Sequence, residues 1–265
     1  MTALAALATL VLDGCSRKPR ADDAPVVLNV AAASDLSFAF KDVGAAYEHR
    51  TGAKVVFSFG ATGLLAKQMA EGAPFDVFAA ANVSFADDAV AAGACLADSK
   101  ATYATGHIVL FSRKDAAFHP TAVADLTDAR IAKIAIANPD HAPYGRAARQ
   151  AMERAGVWTT VRPKVVYGEN VQQTLQFAQS GNADVAIVAL SLATVTPGQS
   201  AQIPTGLYDP IDQAMVACVH GEAGQAAGRK FIQFVQSREG HDIMRKYGFL
   251  LPGESLAAST GAQTP

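Results

Sequence analysis

Apolar positions along this chain follow two rhythms that alternate. Residues 26 to 33 are a nearly unbroken apolar run (Val-Val-Leu-Asn-Val-Ala-Ala-Ala), short enough for a strand buried on both faces. Beyond Ser34, the residues Leu36, Phe40, Val43 and Tyr47 recur at steps of four, three and four, the spacing of one helical face, and Thr51-Gly52 supplies the stop. This pattern predicts a helix beginning at Ser34 or Asp35. The order strand, small-residue turn, helix then returns three times. Lys54 to Phe59 leads through Gly60-Ala61-Thr62-Gly63 into Leu64 to Met69. Ile131 to Ala137 leads through residues 138 to 143 into Tyr144 to Arg149, with Pro143 suited to the first helical position. Lys164 to Tyr167 leads through Gly168-Glu169-Asn170 into a helix that carries Val171, Leu175 and Ala178 on one face.

Each junction ends a strand and opens a helix. The first turn of a helix has backbone N–H groups without internal partners and the positive end of the macrodipole, which makes it a natural anion site. A serine such as Ser34 is also a preferred helix cap, so one junction alone says little. Four junctions lined by small or neutral residues are placed to converge on one ligand. Alternating strands and helices predict an α/β fold with largely parallel sheets and helices on both faces. In such sheets ligands sit beyond the carboxyl ends of the strands, where all four junctions lie.

Two further strands, over residues 106 to 113 and 213 to 219, bracket a long middle block. That arrangement predicts a block inserted between two passes of the chain, with paired crossing strands as a hinge between two lobes. The predicted division is residues 1–25 as export signal and tether, 26–105 as the first part of lobe 1, and 106–218 as lobe 2 with the hinge strands. Residues 219–252 then return as helices to lobe 1, and 253–265 form a tail. Asp76, the single charge in the apolar run from Gly72 to Ala81, is expected to bond to backbone N–H groups.

Composition narrows the function. The 265 residues are 50% hydrophobic and 17% charged, enough apolar material for a large core. A net charge of −2 without any Lys/Arg run argues against a nucleic-acid partner or a polybasic membrane patch. Residues 1–12 are apolar but well short of the roughly 20 residues of a membrane span, and read as the core of an export signal. Leu12-Asp13-Gly14-Cys15-Ser16 resembles a bacterial lipobox with Cys15 as lipid acceptor, although Asp13 departs from that pattern and no positive charge precedes the apolar run. Ordinary export with cleavage nearby is the alternative. Cys95 and Cys218 lie among small apolar residues and are expected to be free and buried, because sequence supplies no distance between them.

No catalytic set is present. The chain lacks the GxSxG elbow, the GxxxxGK[ST] loop, the GxGxxG fingerprint and HExxH, and its histidines are scattered. His107, His119, His141, His220 and His241 are expected to be exposed or satisfied locally, and Asp140-His141 to hydrogen-bond within its loop. No CxxC or HxxxH spacing suggests a metal. A binding protein without a cofactor is the expectation.

Four runs carry a family resemblance: Ala31-Ala32-Ala33-Ser34, Ser58-Phe59-Gly60-Ala61-Thr62-Gly63, Gly72-Ala73-Pro74-Phe75-Asp76-Val77-Phe78, and the stretch from Ile134 through Asn138-Pro139-Asp140-His141-Ala142-Pro143-Tyr144-Gly145. They resemble the molybdate-binding proteins of bacterial ABC importers over about residues 26 to 250. The resemblance implies a periplasmic binding protein type II fold, two α/β lobes on a two-strand hinge with the oxyanion between them. It implies capture of molybdate, and of tungstate, by a periplasmic monomer that serves a transporter permease, and the lipobox reading adds that any membrane contact is through a lipid on Cys15. It also implies that Ser34 and Thr62 supply hydroxyl and backbone donors from the first lobe, and that Tyr144 and Val171 supply backbone N–H groups from the second. Ala189 stands where some members have a tyrosine hydroxyl, so that donor is missing. Asp35 beside an anion is repulsive unless it faces away or caps the N–H of Phe38. The alternatives are another tetrahedral oxyanion, sulfate or phosphate, or an effector-binding regulatory domain.

Overall fold

In the computed structural model, which describes residues 26–254, β1 (Val27–Ala33) runs into a single 3-10 turn, Ser34–Leu36, before α1 (Ala39–Thr51). The helix thus begins at Ala39, later than its apolar spacing predicts, because Ser34 to Leu36 wind more tightly and hold their own local turn. Gly52 ends it at φ 72°, a left-handed conformation that glycine adopts without a Cβ clash. The chain continues through β2 (Lys54–Gly60), α2 (Thr62–Ala70), β3 (Val77–Ala80), α3 (Val83–Ala91) and β4 (Ala101–Gly106). Then follow β5 (Ile108–Ser112), β6 (Ile134–Ala137), α4 (Pro143–Arg154), α5 (Trp158–Val161), β7 (Val165–Gly168), α6 (Val171–Gln179), β8 (Val185–Ala189), α7 (Leu190–Ala193) and β9 (Gln199–Gln202). The last elements are β10 (Ile211–Ala217), α8 (Gly221–Val235) and α9 (Arg238–Lys246).

These strands form two five-stranded sheets, ordered β2-β1-β3-β10-β4 and β7-β6-β8-β5-β9. In the first, β1 runs parallel to β2 and β3 while β10 is antiparallel to β3 and β4. The second repeats this plan, with β6 parallel to β7 and β8 and β5 antiparallel to β8 and β9. Strands β3, β5, β6 and β8 are buried along their whole length, as continuous apolar runs covered on both faces should be, whereas the edge strand β2 alternates.

The chain passes from the first sheet to the second at His107, between β4 and β5, and returns between β9 and β10. Two details differ from the sequence expectation. The run from 106 to 113 is divided at His107, and β10, placed by sequence at the end of the lobe 2 block, is hydrogen-bonded into the first sheet. Apolar spacing identifies a strand but carries no information about its partner. Lobe 2 therefore comprises β5 to β9. Helix α8 returns to lobe 1, where Phe231 packs edge-on against Phe40 and Tyr47 of α1 at ring separations of 5.9 and 5.3 Å.

Cys95 and Cys218 form a disulfide, contrary to the expectation of free thiols. The cause is register. Leu96 N–H donates to the Ala217 carbonyl and Val219 N–H to that of Ala94, which sets the two cysteines opposite each other as an antiparallel bridge. Asp76 sits at the start of β3 with Oδ2 accepting from the Asn29 N–H at 2.7 Å and Oδ1 3.3 Å from His220 Nδ1.

Candidate functional site

The four strand-to-helix junctions meet between the lobes and enclose a small cavity. Residues 33–35, 60–62 and Ala81 line it from lobe 1, and residues 142–144 and Val171 from lobe 2. Ser34, Thr62, Tyr144 and Val171 are thus brought together around one cavity, with Asp35 among them. Ala189, at the end of β8, is buried but is not part of the lining. Cys15 lies outside the described residues. The lining contains no Lys or Arg.

Capping inside each junction decides which donors remain for a ligand. At α6, Asn170 accepts from the N–H groups of Gln172 and Gln173 at 3.0 Å, leaving that of Val171 as the first helical donor at the cavity. At α2, the N–H of Gly63 donates across the lobes to the His141 carbonyl at 2.9 Å, and Thr62 is the first helical residue. At α4, Pro143 has no N–H, so the first donor is that of Tyr144. Neither Ser34 nor Thr62 caps its own helix with its side chain. Thr62 Oγ1 instead accepts from the Ala81 N–H at 3.2 Å, which turns its proton toward other acceptors. Both residues are buried, at 3% and 1% exposure, so hydroxyls of this kind are held dry.

Two glycines permit the close approach. A Cβ on Gly145 would run into the carbonyl of Ala137 at the end of β6, so glycine lets α4 start directly over the strand. A Cβ on Gly63 would come within 3.0 Å of the His141 carbonyl and Cβ, at the point where the lobes touch.

Asp35 departs from both sequence expectations. It neither faces away nor caps Phe38, since no side chain caps α1. Instead, 1% exposed, it accepts on Oδ2 from the Tyr144 hydroxyl at 2.9 Å and from Gln213 Nε2 at 2.8 Å. Gln213 Nε2 also donates to the Tyr144 hydroxyl at 2.9 Å, and the Tyr103 hydroxyl donates to Gln213 Oε1 at 2.6 Å. Ser191 adds a bond from Oγ to the Asp35 carbonyl at 2.9 Å. Tyr144 and Ser191 belong to lobe 2, and Tyr103, Gln213 and Asp35 to lobe 1, so this network ties the lobes together beside the cavity. Gly106 leaves room for it, because a Cβ there would meet the Tyr144 hydroxyl and lie 2.7 Å from Gln213 Nε2. His107, expected to be exposed or locally satisfied, is buried at the crossover with Nδ1 3.2 Å from the Tyr208 hydroxyl and Nε2 without a partner.

Burial pushes the Asp35 carboxyl up from 3.8 to about 6, against the opposing hydrogen bonds from Gln213 and Tyr144 and the weaker pull of the nearby backbone N–H groups of Asp35 and Leu36. A carboxyl raised on folding contributes stability that is complete below the unfolded value and is lost as pH rises through the folded one. Asp35→Asn is therefore expected to exceed the wild type in unfolding free energy by roughly 3 kcal/mol at about pH 8, with no such gain below about pH 4. Urea melts at both pH values measure this, and identical gains at the two would show that ionisation of Asp35 is not the cause.

A small cavity between two α/β lobes, joined by two crossings of the chain and lined by donors from both, defines a periplasmic-type solute-binding protein. The chain belongs to the bacterial extracellular solute-binding protein family, whose model matches residues 28–250. The molybdate-binding protein ModA of Rhodobacter capsulatus is 37% identical over 221 residues, 83% of this chain and 86% of that one. YvgL of Bacillus subtilis, provisionally named an ABC transporter substrate-binding lipoprotein, is 26% identical over 250 residues, 91% of this chain and 94% of that one. The solved periplasmic molybdate-binding protein of Azotobacter vinelandii superposes with a TM-score of 0.78 at 29% identity, covering 85% of this chain and 99% of its own.

Sequence reasoning missed Gln213, Tyr103 and the hydroxyl of Tyr144. One signal was present. Gln213 opens an otherwise apolar strand segment, Ala214 to Val219, and a lone amide at such a position needs a buried partner.

Proposed function

We propose that this protein captures molybdate, and equally tungstate, outside the cytoplasm and delivers it to the permease of an ABC importer. The observation that carries this reading is the cavity itself, where hydroxyls and first-turn N–H groups from both lobes, with the single carboxyl of Asp35, surround a space without a cationic side chain. Such a site offers donors to every oxygen of a tetrahedral dianion. Phosphate near neutral pH carries a proton that needs an acceptor, and Asp35 is the one lining side chain that could supply it; with Asp35 protonated in the complex, the lining offers donors alone and leaves that proton unpaired. Sulfate matches in charge but is smaller, so some donors fall out of its reach. The reading needs no cofactor, and the protein acts as a monomer. The 37% identical molybdate-binding relative and the Azotobacter structure support it.

Titration calorimetry against molybdate, tungstate, sulfate and phosphate tests the assignment. Molybdate and tungstate are expected to bind alike, sulfate at least about ten-fold more weakly, and phosphate not detectably. Tight phosphate binding that disappears in Asp35→Asn would overturn it. Ser34→Ala and Thr62→Ala each remove a hydroxyl donor to a buried anion, at about 1.5 to 3 kcal/mol, and are expected to weaken molybdate binding by roughly ten-fold or more. Melting temperatures on the same samples separate this from a purely structural role, which would lower stability and leave affinity alone.

The same reading places the protein at the outer face of the cytoplasmic membrane, held by a lipid on Cys15. Cys15→Ser is the corresponding test, with release from the membrane fraction as the expected result.

A further inference from the structure

The two oxygens of the Asp35 carboxyl are in unlike surroundings. Oδ2 already accepts two hydrogen bonds, from Tyr144 and Gln213, whereas Oδ1 is buried without a partner in a residue that lines the cavity. A bare carboxylate there would face a dianion at a buried site, where repulsion is screened least. A proton on the carboxyl removes the repulsion, and it has one place to sit. Oδ2 is filled with donors, so the proton goes to Oδ1, and Oδ1–H becomes a donor to the bound anion.

We propose that Asp35 takes up one proton from solution when the oxyanion binds and presents it on Oδ1 as a hydrogen bond to the anion, making capture proton-coupled. The inference rests on the oxyanion-binding reading above and adds to it a role for Asp35 and a direction of pH dependence. Binding proceeds as protein plus dianion plus one proton, with the proton retained on Asp35 in the complex. Gln213 of the same lobe and Tyr144, arriving with lobe 2, hold Oδ2 and so orient the carboxyl, leaving Oδ1 available to the ligand. The negative charge of the anion raises the proton affinity of Asp35 further, so affinity and protonation reinforce one another.

Other groups around Asp35 do not supply this proton. Tyr144 of α4 and Tyr103 of β4 are pushed well above the ordinary tyrosine range by burial and by the charge of Asp35, and Tyr208 is raised by burial, so all three stay neutral. Gln213 of β10 and Ser191 of α7 do not titrate. His107 at the crossover is held below its ordinary value by burial. No charged side chain of α2, α6 or α7 lines the cavity.

Calorimetry with molybdate on the full chain, in two buffers of different ionisation enthalpy and from about pH 6 to about pH 8.5, tests the coupling. Above the titration of free Asp35 the wild type is expected to take up close to one proton per molybdate, with Kd rising about ten-fold per pH unit. Asp35→Asn mimics the protonated carboxyl, with an amide oxygen for Tyr144 and Gln213 and an N–H in place of Oδ1–H. It is expected to show no uptake and a flat Kd, crossing below the wild-type value at the alkaline end. His107→Gln is expected to keep the wild-type slope. Molybdate binding by the wild type without proton uptake would overturn the inference while leaving the oxyanion reading intact, as would a slope that persists in Asp35→Asn. Absence of molybdate binding at every pH, in both proteins, would overturn the oxyanion reading and this inference with it.

Discussion

Replacing Cys95 and Cys218 by alanine is expected to lower the unfolding free energy by about 4 to 5 kcal/mol while leaving molybdate affinity unchanged. The bridge joins residues separated by 123 positions in sequence, so its removal returns a large conformational freedom to the unfolded chain. It ties the segment after α3 to the end of β10, both in lobe 1, and neither cysteine lines the cavity. The loop it closes contains all of lobe 2, so the bond holds the two ends of the inserted block together wherever that block moves. Urea melts with and without reductant, and on the double variant, measure the effect. A loss under about 1 kcal/mol would mean that the bond contributes little to the folded state in solution.

Gly145→Ala is expected to have the largest effect on binding of any single methyl addition. Its Cβ would collide with the backbone carbonyl of Ala137, and neither β6 nor α4 has a flexible side chain there that can give way. The helix start must move off the strand, and overpacking of this kind costs about 1 to 3 kcal/mol or more. The adjacent residue is Tyr144, which brings both its N–H to the cavity and its hydroxyl to Asp35. Displacement of these two contacts predicts a loss of molybdate affinity of roughly 100-fold, from about 3 kcal/mol of lost donor interactions. Gly206→Ala, at a site with open space around the new Cβ, is the control and should bind normally.

Much of this site was legible because helix starts and strand ends are local features. Ser34, Thr62, Tyr144 and Val171 could be located from apolar spacing and small-residue turns, and the resemblance assigned them to one ligand. What could not be read depends on pairs distant in sequence. Asp35 finds Tyr144 across 109 residues and Gln213 across 178, and no periodicity announces either contact. The same holds for the disulfide and for β10, whose place in the first sheet follows from pairing with β3 and β4 and not from its own composition. Ser34 shows the local limit. A serine at a strand-to-helix junction is most simply a cap, yet the residues after it form a tight 3-10 turn and its hydroxyl is left uncommitted to the helix.

The Asp35 network also bears on how the lobes close. Its hydrogen bonds join Tyr144 and Ser191 of lobe 2 to Asp35 and Gln213 of lobe 1, so they form only when the lobes are together. A ligand that needs donors from both lobes favours the same arrangement, and the two sets of contacts are linked.

The central claim, that the cavity between the lobes is the molybdate site, is tested most directly by anomalous diffraction at the molybdenum absorption edge from crystals grown with molybdate. The account predicts a single peak enclosed by Ser34, Thr62, Tyr144 and Val171, within hydrogen-bonding reach of both lobes. A peak elsewhere on the molecule, with this cavity unoccupied, would contradict it.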